Sequence, residues 1–292
     1  MAKLAARLKY WQGQAMSAET DEARDAADAT VTTIEVEVAG LLIQQAAAQK
    51  EADRLEEANK NSQALSRLAD EIASAKNETD LVVDGLVETQ DAIYARMEAR
   101  DENLGAMYEI LDKLWYEAET ETDESLVDNR WAAKDQAEAA IEQAYSDNDD
   151  DSRLIAEYQD NIRYVRNAFR ITKAKLVAER TNAELMVAIK SEMNLGADLA
   201  EIDARTTQLQ ASLDAEADAT VQATLQAQID DLAAKVVAKT DRSAEWATKI
   251  ETLTAKVTET SAVALTIEAT IADEEAQLAI DNARFALDVI NE

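Results

Sequence analysis

No histidine, no cysteine and no proline occurs in this 292-residue chain, and glycine is reduced to five residues. Without Cys and His there is no thiol nucleophile, no imidazole base and no zinc site of the usual ligand types. A di-iron bundle of the ferritin type, which needs Glu-x-x-His on two helices, is excluded too. The glycines, Gly13, Gly40, Gly85, Gly105 and Gly196, stand isolated, so no glycine loop can cradle a phosphate. Carboxylate pairs abound, but a chain this acidic produces them by chance. No residue is singled out as catalytic, cofactor-binding or metal-ligating, and the sequence reads as a non-enzyme.

The same absences bear on the fold. Proline is the main helix breaker, and sheet turns draw on Gly and Pro. What remains is rich in Ala, Glu, Leu and Gln, all good helix formers. The expected fold class is all-α with no sheet: an elongated antiparallel coiled-coil hairpin or a long four-helix bundle.

Basic charge is scarce as well. Against 60 acidic residues stand 29 Lys and Arg, for a net charge of −31. Such a chain repels nucleic acid and anionic lipid surfaces, so no nucleic-acid partner is expected. No run approaches the ~18 apolar residues of a membrane span; the longest, Val38–Ile43, is far too short. The first residues, Met1–Trp11, lack the apolar core and cleavage site of a secretory signal. Leu4, Leu8 and Trp11 do share a helical face, which marks 1–16 as an amphipathic segment. Compartment stays open: an extracellular or virion-surface assembly and the cytoplasm fit equally.

Periodicity supplies the rest. In Thr30–Val38, Ile34, Val36 and Val38 alternate with Glu35 and Glu37 as a strand would. The helical spacing Val31, Ile34, Val38, Leu41 carries on into the following residues, however, and decides for helix. A first helical arm spans 17–145, with a candidate break at 77–80, where Asn77-Glu-Thr79 is a weak glycosylation match. Its densest apolar patch is Leu104–Tyr116. Nine of the thirteen aromatics fall between Tyr94 and Phe169, which means either a thicker core or a docking surface for a like subunit. The second arm, 153–292, has the cleaner heptads: Leu195, Leu199, Ile202, Thr206, Leu209 and Leu213, then Ile229, Leu232 and Val236, running on to Ile271, Leu278 and Phe285. Candidate breaks lie at 214–220 and 239–243.

Between the arms lies Asp147-Asn-Asp-Asp-Asp151, five poor helix formers in a row, and the sequence places the hairpin turn at 146–152. Folding about residue 148 sets the acidic run 117–128 opposite residues 168–179, within the basic stretch 163–180, with Glu121 beside Lys175, Asp123 beside Lys173, Trp131 against Val165 and Ile141 against Ile155. The acidic turn fails as an EF-hand, having Ser152 where Gly is needed and Tyr158 where the bidentate Glu belongs. Weak divalent-cation binding there is the one cofactor expectation.

Three functional readings follow. The first is a structural protein that self-assembles through long helical coiled-coil surfaces into a filament, sheath or lattice. The second is an acidic coiled-coil adaptor or spacer binding other proteins. The third is a virion or granule matrix component condensed by calcium.

Overall fold

In the computed structural model every described element is an α-helix: α1 Ala2–Ser17, α2 Asp21–Thr120, α3 Glu124–Ala215 and α4 Ala219–Asn291. The structure describes the backbone of residues 2–217 and 219–291 and the side chains of 3–35, 37–217 and 219–284, so Met1, the Val36 side chain, Asp218 and the Phe285 side chain lie outside it. Among the described residues there is no strand, and none has positive φ. The fold is all-α. Thr30–Val38 sits inside α2, where Thr30, Thr32 and Thr33 donate their hydroxyls to the carbonyls four residues back, each at 2.9 Å. That satisfies the β-branched polar side chains without leaving the helix.

The chain divides into two compact units, 1–66 and 67–292, at a point inside α2. In the first unit α1 folds back on the start of α2. Leu4 and Ala15 of α1 are buried, as are Ala27 and Ile34 of α2, and Arg7 reaches Glu37 at 3.8 Å. Thr20 starts α2, its hydroxyl accepting from the Ala23 amide at 3.3 Å, which is N-cap behaviour.

The second unit holds two antiparallel hairpins that share α3. In the first, α2 from Arg67 onward pairs with the first half of α3. Contacts Arg130–Glu117, Arg100–Asn148 and Arg96–Asp151 fix its register: residue i of α2 lies level with about residue 248 − i of α3. Leu104, Ile141 and Ala144 form its tightest core, flanked by Met107 and Leu111. In the second, α4 returns along the other half of α3, as Lys175–Glu268 and Lys239–Asp198 record. From about 174 to 199 many residues of α3 are half-buried, and Ala188 is fully buried there.

The central turn at 146–152 does not exist: these residues are an uninterrupted part of α3. Asp and Asn disfavour a helix by competing for its backbone, at up to ~0.7 kcal/mol each. Here four of the five side chains are engaged elsewhere. Gln143 bonds Asp147, Arg153 bonds Asp150, and Asn148 and Asp151 face arginines of α2. Nor does α2 break at 77–80. Its polar groups bond at helical spacing, Ser74 to Glu78 at 2.9 Å and Thr79 to the Ala75 carbonyl at 2.7 Å. Residues 239–243 are helical too and make a polar layer, with Lys239 on Asp198 at 2.7 Å and Ser243 on Glu192 at 3.4 Å.

The chain turns instead at 121–123, between α2 and α3, and from Glu216 onward, between α3 and α4. At the first turn the Glu121 carboxylate accepts from the amides of Thr122 and Asp123, at 3.0 and 3.1 Å. Asp123, extended at φ −83° and ψ 106°, caps α3 by accepting from the Ser125 amide at 3.0 Å. Carboxylates thus make the turn that glycine would otherwise make. At the second, Glu216 accepts from the Ala217 amide at 2.9 Å, and its carbonyl takes Gln222 at 2.6 Å.

The charge pairing expected from a turn at 148 falls with it. Glu117 and Glu121 pair with Arg130 at 2.6 and 3.5 Å. Lys175 pairs with Glu268 of α4, and Arg163 and Arg180 pair within their own helix. Ile141 packs against Leu104 rather than Ile155, and Trp131 is exposed rather than set against Val165.

Candidate interface on the α2/α3 hairpin

The seam of this hairpin repeats every seven residues: Met97, Leu104, Leu111 and Ala118 in one row of α2, and Ile93, Arg100, Met107 and Leu114 in the other, all buried or half-buried. On α3 the rows are Val127, Lys134, Ile141, Asn148 and Ile155, and Arg130, Ala137, Ala144, Asp151 and Tyr158. A heptad seam of this kind faces its partner along its whole length.

Three of these seam positions carry a polar clamp. Arg96, just outside the seam, bonds both carboxylate oxygens of Asp151, with Nε on Oδ2 at 2.8 Å and Nη2 on Oδ1. Arg100 donates to Asp151 Oδ2 at 2.9 Å and to Asn148 Oδ1 at 2.6 Å, while Asn148 donates to Asp101 at 2.7 Å. Only 6% of the Asp151 side chain is exposed, and 19% of Arg100. The Arg96 hydrogen bond, with help from Arg100 and against the opposing effect of burial, holds Asp151 below the usual carboxylate range. A buried carboxylate with its guanidinium partners tolerates no sliding, since any slip strands a charge in the seam. The clamp fixes register.

The residue following each member of one seam row borders one flank of the hairpin. Tyr94, Tyr108 and Trp115 follow Ile93, Met107 and Leu114; Trp131 and Tyr145 follow Arg130 and Ala144. In an antiparallel pair these positions of both helices lie on the same side, and Tyr108 and Tyr145 share a hydrogen bond between hydroxyls at 3.2 Å. That bond raises the Tyr108 pKa. All five rings are between 38% and 48% exposed. The acids at equivalent positions are held by neighbours, Asp101 by Asn148 and Glu138 by Lys134.

Further along this flank, Val87, Gln159 and Arg166 occupy the same repeat position and line a groove with Arg163, Asn167 and Arg170. Asn167 is buried and accepts from Arg170 at 3.3 Å. Arg166 makes no ion pair among the described residues. At the opposite end, beside the 121–123 turn, Asp112, Glu119, Glu124 and Asp128 are exposed and likewise make no ion pair among the described residues.

The carboxylates of 147–151 point around a helix instead of converging, and no group of three or more potential metal ligands occurs among the described residues. Seven of the nine aromatics between Tyr94 and Phe169 are exposed, so they thicken no core. Sequence reading missed the Arg96–Arg100–Asp151 clamp, whose partners lie more than 50 positions apart. The aromatic flank carried a signal in its spacings of fourteen, seven and fourteen residues. No helix among the described residues is long and apolar enough to cross a membrane. No protein-family model, no curated protein and no solved structure matches this chain.

Proposed function

We propose that this chain is a non-enzymatic structural protein that assembles with copies of itself, side by side, through long helical coiled-coil surfaces into a filament, sheath or lattice. The observation that carries the reading is the exposed aromatic flank. Large aromatic side chains concentrate in the cores of protein interfaces and contribute most of their binding energy. Five half-exposed rings present about 450 Å² in one strip, which lies in the range of the largest apolar patch of a typical monomer. The clamp at Asp151 supports the same reading, because a fixed register between α2 and α3 keeps the rings in a regular array.

The net charge of −31 opposes assembly and makes it sensitive to cations. Light scattering and electron micrographs of the purified chain across a salt and calcium series test the proposal. Ordered polymers whose appearance depends on ionic strength are expected. Particles that stay dispersed at every condition point instead to an adaptor that binds other proteins. Condensation that follows calcium and ignores sodium points to a cation-condensed matrix component.

A further inference from the structure

The aromatic flank is not uniform along its length. Its rings occupy the middle, an acidic end surrounds the 121–123 turn, and a basic groove lies at the other end. On the register of the hairpin, Glu119, Glu124 and Asp128 lie at the level of residues 124–129 of α3, and the groove lies at 159–170. Midway between them is Tyr145, which bonds Tyr108 at the centre of the aromatic strip. From Asp128 to Arg166 is about 60 Å along the helix.

These positions describe a surface complementary to itself under a two-fold rotation. We propose that a second copy of this chain docks antiparallel on this flank, about a two-fold axis near Tyr145, with the acidic turn of each copy against Arg163 and Arg166 of the other. The proposal rests on the self-assembly reading and names its contact surface. Charge complementarity selects the occupant. In a chain of net charge −31, a groove lined by three arginines, of which Arg163 shares Asp160 of its own helix and Arg166 makes no ion pair among the described residues, is suited to an acidic partner, and the acid-rich turn of another copy lies at the matching distance. Two aromatic strips face to face remove about 900 Å² from water. That falls short of the ~1,200 Å² at the low end of stable interfaces, and the charged ends add their own area to it. An isologous contact of this kind closes on itself, so it yields a dimer that other surfaces can join into larger assemblies.

Charge reversal tests the pairing directly. One variant of the full chain carries Arg163→Glu and Arg166→Glu; a second carries Glu124→Arg and Asp128→Arg. All four side chains are exposed, and circular dichroism verifies that each variant keeps its helix content. Sedimentation equilibrium reads association. Each variant alone is expected to associate at least a hundredfold more weakly than the unaltered chain, since like charges then meet at both ends. An equimolar mixture is expected to form a mixed dimer near the original affinity, because its two contacts both join opposite charges. Trp131→Ala with Tyr145→Ala is expected to weaken association at every salt concentration, whereas raising salt strengthens both charge-reversed variants.

Variants that associate like the unaltered chain, or a mixture that shows no recovery, overturn this surface while leaving self-assembly standing. An unaltered chain that stays monomeric up to millimolar concentration overturns both.

Discussion

Proline at position 149 separates the two accounts of the acidic stretch. Asp149 is exposed and lies mid-way through α3. Its amide belongs to the i→i−4 ladder and bonds the carbonyl of Tyr145. Asp149→Pro removes that bond and drives the ring into the same carbonyl, at a cost of about 3 kcal/mol or more. The unit that contains it spans residues 67–292, and a unit of this size loses about 2–4 °C of Tm per kcal/mol, so a drop of roughly 6–12 °C is expected. Asp149→Ala removes a poor helix former without touching any partner and is expected to raise stability by up to about 0.5 kcal/mol. Asp149→Gly lowers it by a few tenths. Thermal unfolding followed by circular dichroism at 222 nm gives the global effect. Hydrogen exchange over 145–153 gives the local one, with Asp149→Pro alone accelerating exchange across the clamp at Asn148 and Asp151. A turn at this place accepts proline or glycine freely. A Tm shift under about 2 °C for Asp149→Pro refutes the continuous helix and with it the register drawn from Asp151.

Other consequences are as direct. A Cβ added at Gly85, Gly105 or Gly196 meets no atom within 4 Å, so each Gly→Ala change is expected to stabilise by about 0.5–1 kcal/mol, read from urea midpoints. Ile141→Ala opens the tightest part of the α2/α3 seam and is expected to cost about 2–4 kcal/mol by the same measurement. Asp151→Asn tests the clamp through pH. A carboxyl held below its unfolded value contributes stability that is complete above about pH 4 and fades as pH falls through the folded value. The variant is therefore expected to melt below the unaltered chain at pH 7, with the gap closing below pH 4; a gap that stays constant down to pH 2 refutes the charge-based account.

What the sequence disclosed, and what it hid, follow from the range of the interactions involved. The all-helical character rests on local propensity, and the absence of Pro with scarce Gly made it plain. The seven-residue seam is local too: Leu195, Leu199, Ile202, Thr206, Leu209 and Leu213 are half-buried in one row of α3. The turns depended on something else. Glu121, Thr122 and Asp123 look no more turn-like than Asp147–Asp151, and propensity favours the longer cluster. The cluster is helical because Arg96 and Arg100 meet it from α2, and that encounter exists only after folding about residue 122. Past Leu213 the apolar spacing stays at four through Ala217, Val221 and Leu225, and the turn at Glu216 accounts for that change of step. A break in period and a break in chain direction leave the same trace in one dimension.

The displaced turn has a functional consequence. A hairpin closed at residue 148 brings the acids of 117–128 against residues 168–179, Arg170, Lys173 and Lys175 among them, and neutralises both within one molecule. Closing at 121–123 puts those acids at the hairpin end and leaves the groove of Arg163, Arg166 and Arg170 about 60 Å away along α3, too far for screened charges to interact across a Debye length of about 8–10 Å. Each patch then stands exposed on the flank that also carries Tyr94, Tyr108, Trp115, Trp131 and Tyr145. Two opposite charges that cannot meet within a chain can meet between two chains. Asp151 anchors α2 to α3 in this register, and Glu124, Asp128, Arg163 and Arg166 all stand on α3. A change that slips the seam by one heptad therefore leaves those charges in place but carries Tyr94, Tyr108 and Trp115 of α2 past Trp131 and Tyr145 of α3, parts Tyr108 from Tyr145 and misaligns the aromatic strip between copies without altering one exposed side chain.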